Sequence, residues 1–245
     1  MSWSVTLPTD PECVHLMVAR VPGTLKESDL REGVTEEEWC RFQLATHAPA
    51  RRVRLAARWL VRHVLGQATG CGSVDVPLER LASGKPVTIK PWSFSVSHHG
   101  HWVAVAWSGS LGALGVDLEA ERPVDCLKLA RRFFTPGEAE GLASVGEEEQ
   151  GRAFAVAWCL KEAALKCAGL TIAHHLNHLQ VTQWFPDLRV RVASPMSVCL
   201  WSSGSLNLSL CWQPACTSGV VWASPPAPFQ CGAEGFRRVF DSEAK

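Results

Sequence analysis

Trp158, Glu162 and Lys166 stand four residues apart within Gly151–Gly169, GRAFAVAWCLKEAALKCAG. At about 100° per residue they share one stripe of a helix. Alone, Glu162 and Lys166 make an ordinary i,i+4 ion pair on a wet surface. Their neighbours are Trp, Ala and Leu, however, and charges on an apolar stripe need partners, which functional sites often supply. A second acidic set lies in LGALGVDLEAERP. Leu114, Val116 and Leu118 alternate there with Gly115, Asp117 and Glu119, which predicts a strand carrying both carboxylates on one face, ~7 Å apart.

An isolated Asp-x-Glu is by default a solvated strand face. With Glu162 added, the three carboxylates become an all-oxygen donor set for a hard divalent cation. Mg²⁺ typically takes one or two carboxylates and completes its shell with water and substrate phosphates. Cations stand elsewhere in the chain: Lys85, Lys166, His98, and Arg51, Arg52, Arg54, Arg58 and Arg62, with Arg41 just upstream. Carboxylates together with many cations are what a metal-bound pyrophosphate requires. Zinc is the competing metal reading, on His98, His99 and His101 or on His174, His175 and His178. Neither cluster brings a Cys or a His-Glu-x-x-His spacing, so His99, His101 and the second cluster are read as exposed residues rather than ligands.

Stepping outward, CVHLMVARV at 13–21 is short, apolar and bounded by Pro, a strand. Thr35 and Glu38 have capping-box spacing and open a helix. Arg51–Leu65 repeats apolar residues at helical intervals, with Gly66 closing it and Arg54, Arg58 and Arg62 as a basic stripe on its polar face. Gly84 permits a tight turn, and Pro86 holds the chain extended into a short strand. Residues 94–97 and 102–107 form a hairpin with His98 near its tip. Leu127–Phe134 is a short basic helix, followed by Thr135-Pro136 as cap and first turn of another. After the long helix come five strands, at 179–182, 188–192, 198–201, 206–212 and 220–222.

Each half thus offers strands, a long helix and more strands. The expected fold class is α+β, as two similar α+β halves related by a pseudo-two-fold. The expected boundaries are 1–108, 109–224 with the metal site, and a peripheral tail over 225–245. The 24 basic and 24 acidic residues of this 245-residue chain balance, so no global field draws it to nucleic acid or membrane. No apolar run approaches the ~18–20 residues of a membrane-spanning helix, and the N-terminus has no signal-peptide pattern. Ten scattered cysteines without a Cys-x-x-Cys point to a reduced, cytoplasmic setting.

Four motifs in order, Gly84-Lys85-Pro86, Phe94-Ser95-Val96-Ser97-His98, Gly115-Val116-Asp117-Leu118-Glu119 and Trp158-Cys159-Leu160-Lys161-Glu162-Ala163-Ala164-Leu165-Lys166, resemble the Sfp-type 4′-phosphopantetheinyl transferases. FFTPGE, ending at Glu138, fits the family pattern between the last two. The chain departs from it at Ser95, where Asn is frequent, and after Gly169, where a second Gly is missing.

The resemblance implies a pseudo-two-fold pair of α+β halves and transfer of phosphopantetheine from coenzyme A to a serine of an acyl or peptidyl carrier protein. It also implies Mg²⁺ held by Asp117, Glu119 and Glu162, and Lys166 on a phosphate. Ser97 and His98 would meet the adenosine-side phosphates, with Lys85 and Pro86 at the adenine. Arg52 or Arg54 would meet the 3′-phosphate, and Lys161 also matches the motif. Glu162 is the first candidate for the base that deprotonates the serine and Glu138 the second; a monomer is implied. The alternative is a non-catalytic protein of the same fold that binds coenzyme A or a carrier.

Overall fold

The computed structural model describes residues 13–81, 84–88, 91–110, 112–170, 176–185, 187–192, 196–213 and 219–242. The chain forms two compact units, Met1–Gly112 with Thr217–Glu234, and Ala113–Cys216 with Gly235–Lys245. Both mix helices with sheet, as the α+β expectation requires.

In the first unit, β1 (Val14–Arg20) is buried along six of its seven residues, so it reads as a continuous apolar run rather than an alternation. It pairs antiparallel with β5 (Trp102–Ser108), which pairs antiparallel with β4 (Ser93–His99). On its other side β1 pairs with β11 (Val220–Trp222) in parallel and β12 (Gln230–Cys231) in antiparallel register. The β4–β5 hairpin turns at Gly100, whose φ of 55° suits glycine. His98 lies opposite Val103, near the tip as expected. β2 (Leu78–Arg80) and β3 (Pro86–Thr88) form a separate small hairpin.

The main helix, α2, runs over Ala48–Thr69 and packs on β5 and β4. The sequence led to an end at Gly66. The helix instead continues to a left-handed cap at Gly70, φ 71°, and Gly66 is an interior residue closely approached by the Cys71 carbonyl. The basic stripe also differs from expectation. Arg54 is exposed, but Arg58 and Arg62 turn inward to Glu38 of α1 (Glu36–Gln43). Arg62 donates to both Glu38 oxygens at 2.6 and 3.2 Å and to the carbonyls of Ser73, Val74 and Val76. Glu38 and Thr35 form the predicted capping box of α1, which is what brings the carboxylate under α2.

The second unit is built on a four-stranded antiparallel sheet. Its order is β13 (Arg237–Ser242), β9 (Ser197–Ser203), β10 (Leu206–Gln213) and β6 (Ala113–Ala120). α5 (Glu147–Cys167) lies on β6 and β10. It begins earlier than the apolar pattern suggested, because Gly146 caps it and three glutamates, Glu147–Glu149, favour the positive end of the helix dipole. α3 (Cys126–Phe133), α4 (Pro136–Ala143) and the hairpin of β7 (Leu179–Gln183) with β8 (Arg189–Val192) complete the unit. Thr135 caps α4 and Pro136 opens it, as the sequence suggested. The stretch from 225, expected as a peripheral tail, is tied in: β12 joins the first sheet and β13 the second.

Candidate active site

On β6, Gly115, Asp117 and Glu119 share the face that meets α5. A side chain at 115 would not fit: a Cβ there would lie 2.0 Å from the Ala163 carbonyl and 2.4 Å from the Cys167 amide, both helix backbone. Glycine lets strand and helix touch, and that contact sets Asp117 beside the helical stripe predicted to carry charge. Lys166 donates to Asp117 Oδ1 at 2.7 Å and to the Val116 carbonyl at 3.2 Å. From the neighbouring strand, Asn207 stands opposite Glu119 and Ser209 opposite Asp117. Asn207 Nδ2 donates to the Glu119 carbonyl at 3.4 Å, and the Cys159 thiol donates to the carbonyls of Asp117 and Asn207.

The electrostatics fit a cluster of like charges held out of water. Asp117 and Glu119 are 4% and 8% exposed. Burial raises the Glu119 carboxyl to about 7; Asp117 and Glu162 push in the same direction, while Arg122, 3.0 Å from Oε1, pulls against them. Glu162, half-buried, is raised by burial and then by Asp117. Lys166 is raised despite burial, because Asp117, Glu162 and the Cys159 thiol outweigh it. Three carboxylates thus repel one another around one ammonium.

Such a set suits a further hard cation. Among the described residues no three His, Cys, Asp or Glu are grouped tightly enough to enclose an ion unaided. Mg²⁺ does not need that, since one or two carboxylates suffice when water and phosphate oxygens complete the shell.

Lys161 does not face this site, contrary to its expected part in binding. It is 1% exposed, and its ammonium sits 2.6 Å from Glu138 Oε1 and 2.7 Å from the Leu176 and Leu179 carbonyls, over the Phe134 ring. Glu138 is engaged in the same place. It also accepts from the Val181 amide at 2.7 Å and from the Thr135 amide and hydroxyl, so the expectation of a second base gives way to a structural role. Trp158 packs with Phe133, Phe134 and Phe154.

Arg52, Arg54, Lys85, Pro86, Ser97 and His98 all belong to the first unit. Ser97 is buried opposite Ala104, and His98 is exposed beside it. Arg52 is half-buried at the start of α2 and Arg54 exposed; Lys85 and Pro86 follow Gly84, whose φ of 83° makes the predicted turn. Among the histidines, His98 and His101 are exposed and His99 and His178 half-buried, while His174 and His175 lie outside the described residues. Arg122, Asn207 and Cys159 were not anticipated as parts of the site. Glu119-x-x-Arg122 spacing and the two polar residues inside LNLSLCW were the available signals.

An α+β unit that gathers three carboxylates and a lysine at one strand–helix contact belongs to the class of acidic sites able to handle metal-bound phosphates. The 4′-phosphopantetheinyl transferase superfamily matches residues 113–215, and the N-terminal 4′-phosphopantetheinyl transferase domain matches residues 31–110. The chain is 34% identical over 130 residues to 4′-phosphopantetheinyl transferase psf-1 of Bacillus pumilus, covering 52% of this chain and 54% of that protein. With 4′-phosphopantetheinyl transferase ffp of Bacillus subtilis it is 32% identical over 138 residues, 56% and 60% of the two chains. With 4′-phosphopantetheinyl transferase HetI of a Nostoc species it is 32% identical over 179 residues, 69% and 73%. The chain belongs to the 4′-phosphopantetheinyl transferase family. Its match spans only a little over half the length of the Bacillus relatives.

Proposed function

We propose that this protein transfers the 4′-phosphopantetheine group of coenzyme A to a serine hydroxyl of an acyl or peptidyl carrier protein, releasing adenosine 3′,5′-bisphosphate. The observation that carries this reading is the meeting of Asp117, Glu119, Glu162 and Lys166 where β6 touches α5. In the reaction the serine oxygen bonds to the pantetheine-side phosphorus, the bond from that phosphorus to the bridging oxygen breaks, and the bisphosphate leaves with that oxygen. The serine proton goes to a base. Such chemistry is done mainly by positioning and charge neutralisation.

Lys166 is set for the second task. Its ammonium, oriented by Asp117 and the Val116 carbonyl, would meet the charge that gathers on the leaving phosphate. Asp117, Glu119 and Glu162 would hold Mg²⁺, which when bound supplies Lewis-acid polarisation of the diphosphate. Glu162 is also the candidate base: its carboxyl is half-buried, and its raised pKa makes it the better proton acceptor. The two roles compete for one side chain. Arg52 or Arg54, Lys85 with Pro86, and Ser97 with His98 would bind the nucleotide end of coenzyme A. We propose further that the protein works as a monomer in the cytoplasm, without nucleic-acid or membrane partners. Among the described residues no helix is long and apolar enough to cross a membrane.

The test is mass spectrometry of apo carrier protein incubated with the chain, coenzyme A and Mg²⁺, beside a Glu162→Gln control. A gain of ~340 Da on the carrier serine, a covalent modification lost in the control, is expected. Coenzyme A binding without any gain across several carriers would instead support a non-catalytic binding protein.

A further inference from the structure

Arg58 of α2 carries a positive charge for which the first unit provides only part of a partner. Its side chain is 10% exposed, and that of Arg62, one turn on, is 5% exposed. Both face Glu38, so two buried guanidiniums share one buried carboxylate. Arg62 takes most of it. It donates to both Glu38 oxygens and, through Nη1, to the Ser73, Val74 and Val76 carbonyls, while the Thr35 amide donates to Glu38 Oε2. Arg58 keeps a charge contact from Nε to Oε1 at 3.4 Å, and it donates no hydrogen bond among the described residues. A charge held out of water needs both a counter-charge and acceptors for its N–H groups.

The surrounding charges enlarge the deficit. Burial pulls the Arg58 pKa down to about 10; Glu38 opposes this, and Arg41, Arg80 and Arg62 add to it. Arg41 comes from α1, with its guanidinium over the Phe42 ring, and Arg80 ends β2, held through Nη1 by the Gly84 carbonyl at 3.1 Å. Arg41 is half-buried and Arg80 exposed, so the place they make with Arg58 is reached from solvent. Four guanidiniums against one carboxylate do not form a compensated ion-pair network. They form a receptor for an anion. Planar N–H forks suit phosphate oxygens, and an excess of more than one positive charge favours a dianion over a monocarboxylate.

None of Arg41, Arg58 and Arg80 is among the residues proposed to hold coenzyme A. Arg58 follows Arg52 by six residues, which sets it about 120° round the helix from that candidate for the 3′-phosphate. We propose that Arg41, Arg58 and Arg80 form a second anion site of the first unit, separate from that for coenzyme A, and that it takes a phosphate dianion, free or as the monoester of a small organic molecule. Arg80 pairs with Pro86 across the β2–β3 hairpin, so coenzyme A itself belongs in the test.

The test is calorimetric titration of the full chain in phosphate-free buffer, with and without saturating coenzyme A. Inorganic phosphate should bind saturably, acetate roughly tenfold or more weakly, and coenzyme A should change the phosphate affinity by less than about twofold. Arg41→Gln and Arg80→Gln should each weaken phosphate several-fold, whereas Arg131→Gln, exposed in the second unit, should not. Arg58→Met leaves the Arg62–Glu38 pair in place. It should abolish phosphate binding and melt no lower than the parent without phosphate, because it removes a buried charge that lacks hydrogen bonds. Adenosine 5′-monophosphate separates the two sources: binding at least as tight as that of inorganic phosphate identifies a monoester, and weaker binding identifies free phosphate. No saturation with either, equal affinity for acetate, or indifference to Arg41→Gln and Arg80→Gln would overturn the proposal. So would an Arg58→Met variant that still binds phosphate or melts well below the parent, and so would loss of phosphate binding on adding coenzyme A, which would make the cluster part of the transferase site.

Discussion

Two lysines on neighbouring turns of α5 have opposite roles, although sequence alone offers both as ligands. Lys166 reaches the acidic face of β6, whereas Lys161, five residues earlier, points into the core against Glu138. Burial lowers the Lys161 pKa, and the charge and hydrogen bond of Glu138 act against that shift. Removing one member of a buried pair typically costs about 3–5 kcal/mol, because the other is left charged or protonated without its partner. Lys161→Met should therefore lower the unfolding free energy by roughly that amount in denaturant titration. The KM for coenzyme A of the protein that remains folded should be unchanged. A raised KM at undiminished stability would return Lys161 to the binding residues. The motif Trp-x-x-Lys-Glu-x-x-x-Lys could not separate the two roles, since Lys161 and Glu162 are adjacent on the helix and only packing decides which one turns inward.

At the scale of elements, the site depends on how closely α5 lies on β6, and one missing side chain sets that distance. Gly115→Ala must push two backbone atoms of α5 away, not the end of a flexible side chain. Overpacking of this kind costs about 1–3 kcal/mol. It should also move Glu162 and Lys166 relative to Asp117 and Glu119, so kcat should fall more than thermal stability alone explains. A kcat within twofold of the parent, with the transition intact, would show that this contact does not govern the site. The alternation in Leu114–Glu119 announced the strand and its acidic face correctly, and the capping signals at Thr35 and Thr135 were equally plain, because both are local rules.

Long-range pairs were not legible. Arg58 and Arg62 looked like a solvated stripe because Glu38 is distant in sequence, and only the packing of α1 on α2 brings it beneath them. That pair has a pH signature. Burial raises the Glu38 carboxyl, but the Arg62 hydrogen bond, the charges of Arg58 and Arg62 and the Thr35 amide outweigh it, and the folded pKa lies below the ordinary 4.5. A depressed carboxyl contributes stability that is complete above its unfolded pKa and is lost as pH falls through the folded value. Melting temperature should therefore drop between pH 5 and the folded pKa, and Glu38→Gln should lose stability near neutrality while flattening that acid limb. An unchanged acid limb in the variant would place the acid sensitivity elsewhere.

At the scale of the whole chain, the two units are each completed by a segment from the C-terminal region; of these residues the sequence suggests a tail only from 225 and assigns 217–224 to the second half, whereas Thr217–Glu234 belongs to the first unit. The strand at 220–222 was foreseen from its apolar run, but its parallel partner β1, some two hundred residues earlier, was not; neither were β12 and β13, whose short or charged sequences carry weak strand signals. These strands satisfy specific backbone groups. Val14 N–H donates to the Gly219 carbonyl, Ala223 N–H to Leu16 and Gly232 N–H to Val18, while β13 covers the outer edge of β9. Two truncations separate the contributions. Ending the chain at Gly235 removes β13 alone, so hydrogen exchange should quicken along Ser197–Ser203 while Val14–Arg20 keeps its protection. Ending it at Cys216 removes β11 and β12 as well and should also expose Val14–Arg20. Exchange follows the free energy of opening, so the loss should read as at least roughly tenfold faster exchange in the uncovered strand, with α2 and α5 slower to respond. If both truncations loosened both sheets equally, the units would unfold as one cooperative body, and stability could not be assigned to either sheet by its own added strand.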